Sequence, residues 1–166
     1  MPAPAASAPS PIVATPVQVR RARFDDLGAL VALEQSTFAL DRMSARQWRR
    51  HLRSTSADVV VAVRDDRPIG AAVVFHRRGT DIARLYSIAV AAGERGGGIG
   101  RALLDAAEQA ARARGGRRVR LEVRSDNAAA QALYERAGYR AFGVHPAYYK
   151  DGADARRYEK LLAAPG

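Results

Sequence analysis

Apolar positions change period several times along the chain, and each change marks an element. Val17 to Arg21 reads as a short strand, after which Leu27, Leu30, Val31 and Leu33 recur at helical spacing behind the acidic pair Asp25-Asp26. A second helix is expected to begin at Ser44 and to carry Trp48 and Leu52. Ala57 to Val63 and Ile69 to Phe75 are β-type runs, and Asp65-Asp66-Arg67-Pro68 between them has the composition of a hairpin turn. Gly79-Thr80-Asp81 leads into a strand that ends at Val90. Leu103, Leu104, Ala107, Ala110 and Ala111 then share one face of a helix that stops near Gly115-Gly116. From Arg117 to Arg124 the period becomes two, with Val119, Leu121 and Val123 on one side and Arg118, Arg120, Glu122 and Arg124 on the other. Ser125 or Asp126 is the expected cap of a helix that Gly138 ends. Tyr139 to Val144 and Arg157 to Leu162 read as two last strands around a loop, His145 to Arg156. The order β-α-α-β-β-β-α-β-α-β-β describes an α/β domain.

Composition narrows the chemistry. Met1 to Pro16 is rich in Pro, Ala and Ser, without charge or period, which predicts a disordered leader over 1–16 ahead of a single domain over 17–166. A hydrophobic content of 48% over 166 residues is enough for a real core. With no cysteine, disulfides, thiolate ligands and a cysteine nucleophile are all excluded, and three histidines, at 51, 76 and 145, make a metal centre an unfavoured reading. No apolar run approaches the ~20 residues of a membrane span and no signal-peptide pattern opens the chain, so a cytoplasmic protein is expected. The net charge of +10 raises nucleic-acid binding. Of the 27 basic residues, however, all but Lys150 and Lys160 are Arg, a skew that accompanies the high Ala content, and steering of anionic ligands is the better reading.

The stretch Arg95-Gly96-Gly97-Gly98-Ile99-Gly100-Arg101 stands between the strand run Leu85-Tyr86-Ser87-Ile88-Ala89-Val90 and the following helix. Without Cβ atoms, a strand-to-helix turn lets successive N–H groups converge at the positive end of a helix, which suits a diphosphate. The alternative is a plain surface turn. A P-loop reading fails because Arg101 and Ala102 follow Gly100 in place of Lys-Ser/Thr, and the dinucleotide fingerprint G-x-G-x-x-G is not cleanly matched.

Arg95-x-x-Gly98-x-Gly100 resembles the acyl-CoA pyrophosphate signature, R/Q-x-x-G-x-G/A, of the GCN5-related N-acetyltransferase (GNAT) superfamily. Leu121 to Tyr139, LEVRSDNAAAQALYERAGY, is similar to the matching strand and helix of RimI-type protein N-acetyltransferases. The resemblance is strong from about Arg84 to Leu161 and weaker over Val19 to Phe38. It departs at Gly97, where a long polar side chain is usual, and at Ala92, where proline is frequent. The resemblance implies a GNAT fold, a mixed, mostly antiparallel sheet of about six or seven strands flanked by about four helices. It also implies acetyl-CoA as co-substrate, with Ile88, Ala89 and Val90 pairing with the pantetheine as an added strand would and Gly96 to Arg101 holding the pyrophosphate. Arg95 and Arg101 add charge there.

Transfer of an acetyl group from a thioester to an amine needs a base for the ammonium and an acid for the departing thiolate. Glu122 reads either as a strand-surface carboxylate paired with Arg120 or Arg124 or as the base, and the resemblance supports the base. Tyr134 reads either as a core aromatic or as the acid, and the resemblance supports the acid. Asn127 lies seven residues before Tyr134, about two helical turns or roughly 10 Å along one face, so it is placed to reach the pantetheine; helix capping is its other reading. His76 is read as structural, while Tyr86 and Ser87 take no role. The resemblance puts the acceptor site in the first helices and the last loop, where Tyr148, Tyr149, Asp151 and Asp154 either line it or form an exposed turn. The expected function is N-acetylation of a primary amine of a protein or peptide, at an N-terminus or a lysine, by direct attack in a ternary complex. A small-molecule amine acetyltransferase is the alternative, and a non-catalytic CoA-binding or basic nucleic-acid-binding module a more distant one.

Overall fold

Ala57–Arg64 (here β2) is buried along both faces, because helices cover both sides of the sheet it belongs to. Val59, Val61 and Val63 pack with Leu30, Leu33 and Trp48, whereas Val60 and Ala62, pointing the other way, pack with Leu103, Leu104 and Ala111. A run with no polar alternation is what such a two-faced strand requires.

The computed structural model describes residues 15–164, so the leader expected over 1–16 lies, up to residue 14, outside the described residues. Around β2 stand β1 (Gln18–Arg21), β3 (Arg67–His76), β4 (Ile82–Val90), β5 (Arg118–Arg124), β6 (Arg140–His145) and β7 (Ala155–Leu161). The helices are α1 (Leu27–Thr37) and α2 (Ala45–Arg53), and on the other face α3 (Ile99–Ala113) and α4 (Ala128–Arg136). All seven strands join one sheet in the order β1-β2-β3-β4-β5-β7-β6, mostly antiparallel, as the resemblance implied. Among the described residues no helix is long and apolar enough to cross a membrane.

Local chemistry explains the departures from the expected boundaries. The β2–β3 hairpin turns on two residues, not four: Asp65 and Asp66 have φ of 51° and 60°, and Arg64 already pairs with Arg67. Pro68 lies inside β3, and the register slips one residue beyond it. Asn127, not Ser125 or Asp126, caps α4, its Oδ1 accepting from Ala130 N at 3.1 Å. Asp26 makes no cap either, because both carboxylate oxygens take Arg20 at 2.8 and 3.0 Å and one also accepts from Arg23 N.

The feature that creates a site is the one parallel pair. β4 and β5 align only at Ile82↔Arg118, Ala83↔Val119 and Arg84↔Arg120. Beyond Arg84, β4 stays with β3 and β5 stays with β7, so the strands diverge and, among the described residues, the backbone edge of β4 has no strand partner on that side. β4 bulges there: Val73 faces Ser87 and Val74 faces Leu85, which leaves Tyr86 as the extra residue.

Candidate active site

The divergence of β4 and β5 opens a cleft with two halves. One half, about 900 Å3, runs along Ile88, Ala89 and Val90 to the glycine loop and the first turn of α3. The other, about 650 Å3, lies among the end of α1, the segment after it, β5 and the loop before β7. Thr37, Phe38, Ile88, Asn127, Ala130 and Tyr134 border both halves.

In the first half, a short turn over Ala92–Glu94 leads to Arg95, Gly96 and Gly98, with the two glycines at φ of 86° and 81°. Only glycine holds that left-handed backbone without strain. Gly98 is the N-cap of α3 and accepts from Ala102 N, so the N–H groups of Ile99, Gly100 and Arg101 have no acceptor within the helix, and these residues line the cleft. A Cβ on Gly100 would stand 3.3 Å from Leu133 Cδ2, so glycine there lets α3 start close against α4. Arg95 lines the cleft and donates from Nε to the Val90 carbonyl at 3.4 Å, bracing the loop against the end of β4. Arg101 lines the cleft but ion-pairs with Asp105 at 3.1 Å. Gly97, alone among the residues expected to hold cofactor, is not on the cleft wall.

Glu122 lines the second half on β5, its side chain only 12% exposed. Its expected partners do not hold it. Arg120 is committed to Glu159 at 2.8 Å across the β5–β7 pair, and Arg124 to Asp126 and Asp151 at the strand end. Arg84 holds Glu122 from β4, with Nη2 at 3.0 Å from Oε2, and also donates to the Tyr148 hydroxyl at 2.6 Å. Arg157, directly opposite on β7, stands 3.8 Å from Oε1. Neither partner is a sequence neighbour, and strand pairing brings them in, Arg157 across the β5–β7 ladder and Arg84 from the last paired position of β4.

Tyr134 is both things its position offered. It is 4% exposed, with its ring against Tyr139 and Tyr158, yet it borders both halves of the cleft. Burial pushes its phenol well above the usual range, which keeps the proton on the oxygen. Asn127 likewise combines two readings: its Oδ1 caps α4 while the residue lines both halves.

Of the last loop, Tyr148, Tyr149 and Asp151 line the second half, and burial is the main cause pushing the Tyr149 phenol up to about 12. Asp151 is neutralised by Arg124 at 2.7 Å, and Asp154 serves the loop by accepting from Ala147 N. His76 is structural as expected, bonded to Asp58 at 2.8 Å. The resemblance put the acceptor site in the first helices, but the sequence singled out none of Glu34, Thr37, Phe38, Leu40, Asp41 and Met43, which form this wall. The interruption of helical period between Phe38 and Ser44 was its one local signal. Among the described residues no three His, Asp or Glu side chains gather as a metal site.

The profile of the acetyltransferase (GNAT) family matches residues 25–139. The chain belongs to this family. It is an acetyltransferase, and GNAT enzymes use acetyl-CoA. The GNAT chain is 29% identical over 142 residues, 85% of its length and 93% of theirs, to a putative [ribosomal protein bS18]-alanine N-acetyltransferase of Bacillus subtilis. It is 47% identical over 64 residues to mycothiol acetyltransferase of Beutenbergia cavernae, spanning 39% of itself but 22% of that protein. The crystal structure of the ribosomal-protein-S18-alanine N-acetyltransferase from Escherichia coli superposes with a TM-score of 0.80 at 27% identity, covering 90% of this chain and 96% of the other.

Proposed function

We propose that this acetyltransferase transfers the acetyl group of acetyl-CoA to a primary amine of a protein or peptide, at an N-terminus or a lysine, by direct attack in a ternary complex. The observation that carries the reading is Tyr134 at the boundary between a glycine-loop half and a half holding Glu122. The residues present fit acetyl-CoA: free N–H groups at the start of α3 suit its pyrophosphate, and the unpaired edge of β4 at Ile88 to Val90 suits the amides of its pantetheine. Acetyl-CoA supplies the activated acyl group. Asn127 and the β4 edge orient it with the thioester near Tyr134. Glu122 takes the proton of the acceptor ammonium, directly or through a water, so that the nitrogen lone pair can form the C–N bond. Tyr134 donates a proton to the sulfur as the C–S bond breaks. With no cysteine in the chain, a thiol relay has no nucleophile, which favours direct transfer.

Near-complete coverage of the Bacillus subtilis relative supports a peptide N-terminus as acceptor. The identity to mycothiol acetyltransferase favours a second reading, a small-molecule amine. A cytoplasmic location accords with either, since acetyl-CoA is abundant there. Thiol release from acetyl-CoA, measured against an alanine-starting hexapeptide, a lysine-bearing peptide and spermidine, tests both. Turnover only with spermidine would transfer the reading to small amines. Saturable acetyl-CoA binding without thiol release on any amine would reduce the domain to a CoA-binding module.

A further inference from the structure

The second half of the cleft contains an acidic group that the proposed chemistry leaves unused. Glu34, on the third turn of α1, is 2% exposed and lines this half. Its Oε1 accepts from Met43 N at 2.8 Å, which ties down the segment between α1 and α2. Its Oε2 is buried without a partner, as is the Oγ1 of Thr37, one turn further along the same helix and on the same wall. A buried carboxylate oxygen without a donor is costly, so two such atoms, on neighbouring residues of one cavity wall, point to a ligand that supplies N–H groups.

Charge pairing indicates what that ligand carries. Glu122 is held by Arg84 and Arg157, and Asp151 by Arg124. Glu34 has no cation at ion-pair distance among the described residues. Burial raises the Glu34 carboxyl above its usual range, against the hydrogen bond from Met43 N and the more distant Arg42, whose Nε is turned to the Phe38 carbonyl, so a cation placed beside it would restore its charge. Tyr86 and Tyr148 stand in the same half, so the wall offers rings and two acids without an ion pair among the described residues, Asp41 exposed and Glu34 buried.

We propose that Glu34 Oε2, assisted by Thr37 Oγ1, is the subsite that receives the acceptor's ammonium, dividing the labour between two carboxylates. Glu34 binds the cation, and Glu122 removes its proton. Once neutral, the amine is held less strongly by Glu34 and is free to approach the thioester. Resting on the amine-acetylation reading, this makes Glu34 and Thr37 specificity-determining residues, neither of them the base.

The test is direct binding to the CoA-loaded protein by calorimetry, with an alanine-starting hexapeptide and its desamino counterpart, in which a propionyl group replaces the alanyl. The wild-type protein should bind the ammonium peptide at least about tenfold more tightly, as expected for hydrogen bonds to a charged group. Glu34→Gln keeps an acceptor for Met43 N but removes the charge. It should abolish that preference while the Kd for CoA stays at the wild-type value, and Thr37→Val should reduce the preference. Equal binding of the two peptides by the wild-type protein, or a preference undiminished in folded Glu34→Gln, would overturn the assignment. Turnover is a separate readout: absence of thiol release with every amine defeats the acetylation reading without altering the binding comparison.

Discussion

Arg84 Nη2 stands 3.0 Å from Glu122 Oε2 across the gap where β4 and β5 stop pairing. Arg84 is the last β4 residue in register with β5, facing Arg120, and Glu122 lies two residues beyond on β5. The ion pair spans the mouth of the divergence, which fixes the orientation of the carboxylate within the cleft. Glu122→Gln preserves the shape and the hydrogen-bonding capacity but cannot take a proton. Its kcat should fall by roughly 10² to 10⁴, with acetyl-CoA Kd unchanged. Wild-type turnover of this variant in the thiol-release assay would remove Glu122 from the chemistry.

Tyr134→Phe deletes one oxygen and leaves the ring in place against Tyr139 and Tyr158. Melting temperature should change little while kcat drops on the order of 100-fold, the contribution of a positioned general acid. A variant that melts early and turns over normally would restrict Tyr134 to packing.

The glycines of the loop should separate by conformation. At Gly98, with φ of 81°, alanine meets open space but an unfavourable backbone costing roughly 1–2 kcal/mol. Gly98→Ala should therefore weaken acetyl-CoA binding and lower stability together. Gly97 lies off the cleft wall, and its nearest non-neighbouring atom would be 3.7 Å from an added Cβ. Gly97→Ala should bind acetyl-CoA like the parent, with stability unchanged or raised by about 0.5 kcal/mol. Calorimetric titration and urea melts of the pair distinguish the two; equal losses in both would mean that the loop conformation is not what matters.

Asp58 gathers Arg114 at 2.9 Å, His76 at 2.8 Å and Arg21 at 3.2 Å around a carboxylate that is 7% exposed. Asp58→Ala removes the acceptor shared by two arginines and an imidazole, and urea melts should show a loss of about 1–3 kcal/mol without an effect on kcat.

The same cluster sets a pH dependence. Burial pushes the His76 imidazole below its usual value, against the pull of Asp58, and burial does the same at His51. A folded-state pKa below the unfolded one means that stability is full above the ordinary imidazole range and declines as pH falls through it. Burial raises the Asp58 carboxyl, but hydrogen bonds from Arg114 and His76 outweigh it and leave the value lowered, so its stabilisation is lost only further down, in the carboxylate range. Melting temperature should decline in two stages between pH 8 and pH 3, and His76→Asn should shrink the first. A melting temperature flat from pH 8 to pH 5 would contradict this.

How far the sequence could be read followed from how local each feature is. The period-two run of β5 and the helical face of Leu103, Leu104, Ala107 and Ala111 came out as expected, because each periodicity reports one buried face of one element. The cap of α4 was misassigned by one or two residues, since Ser125, Asp126 and Asn127 are all good capping types and backbone geometry chooses among them. The partners of Glu122 were misassigned for a different reason. Arg120 and Arg124 share its strand face, but each has a nearer acid, Glu159 on β7 and Asp151 in the last loop, that is remote in sequence.

By itself the sequence determined the elements and their order and the glycine loop between β4 and α3, and it set Glu122, Asn127 and Tyr134 at intervals that resemble those of the GNAT family. These are short-range properties, written in periodicity, turn chemistry and intervals along one helix or strand. Tertiary structure decided where the cleft opens, which arginines hold Glu122, and that Glu34 lies buried on the cleft wall with one carboxylate oxygen unpartnered. Those depend on β4 and β5 pairing for three residues and then parting, a relation between strands joined by an entire helix, and no local pattern in the chain encodes it.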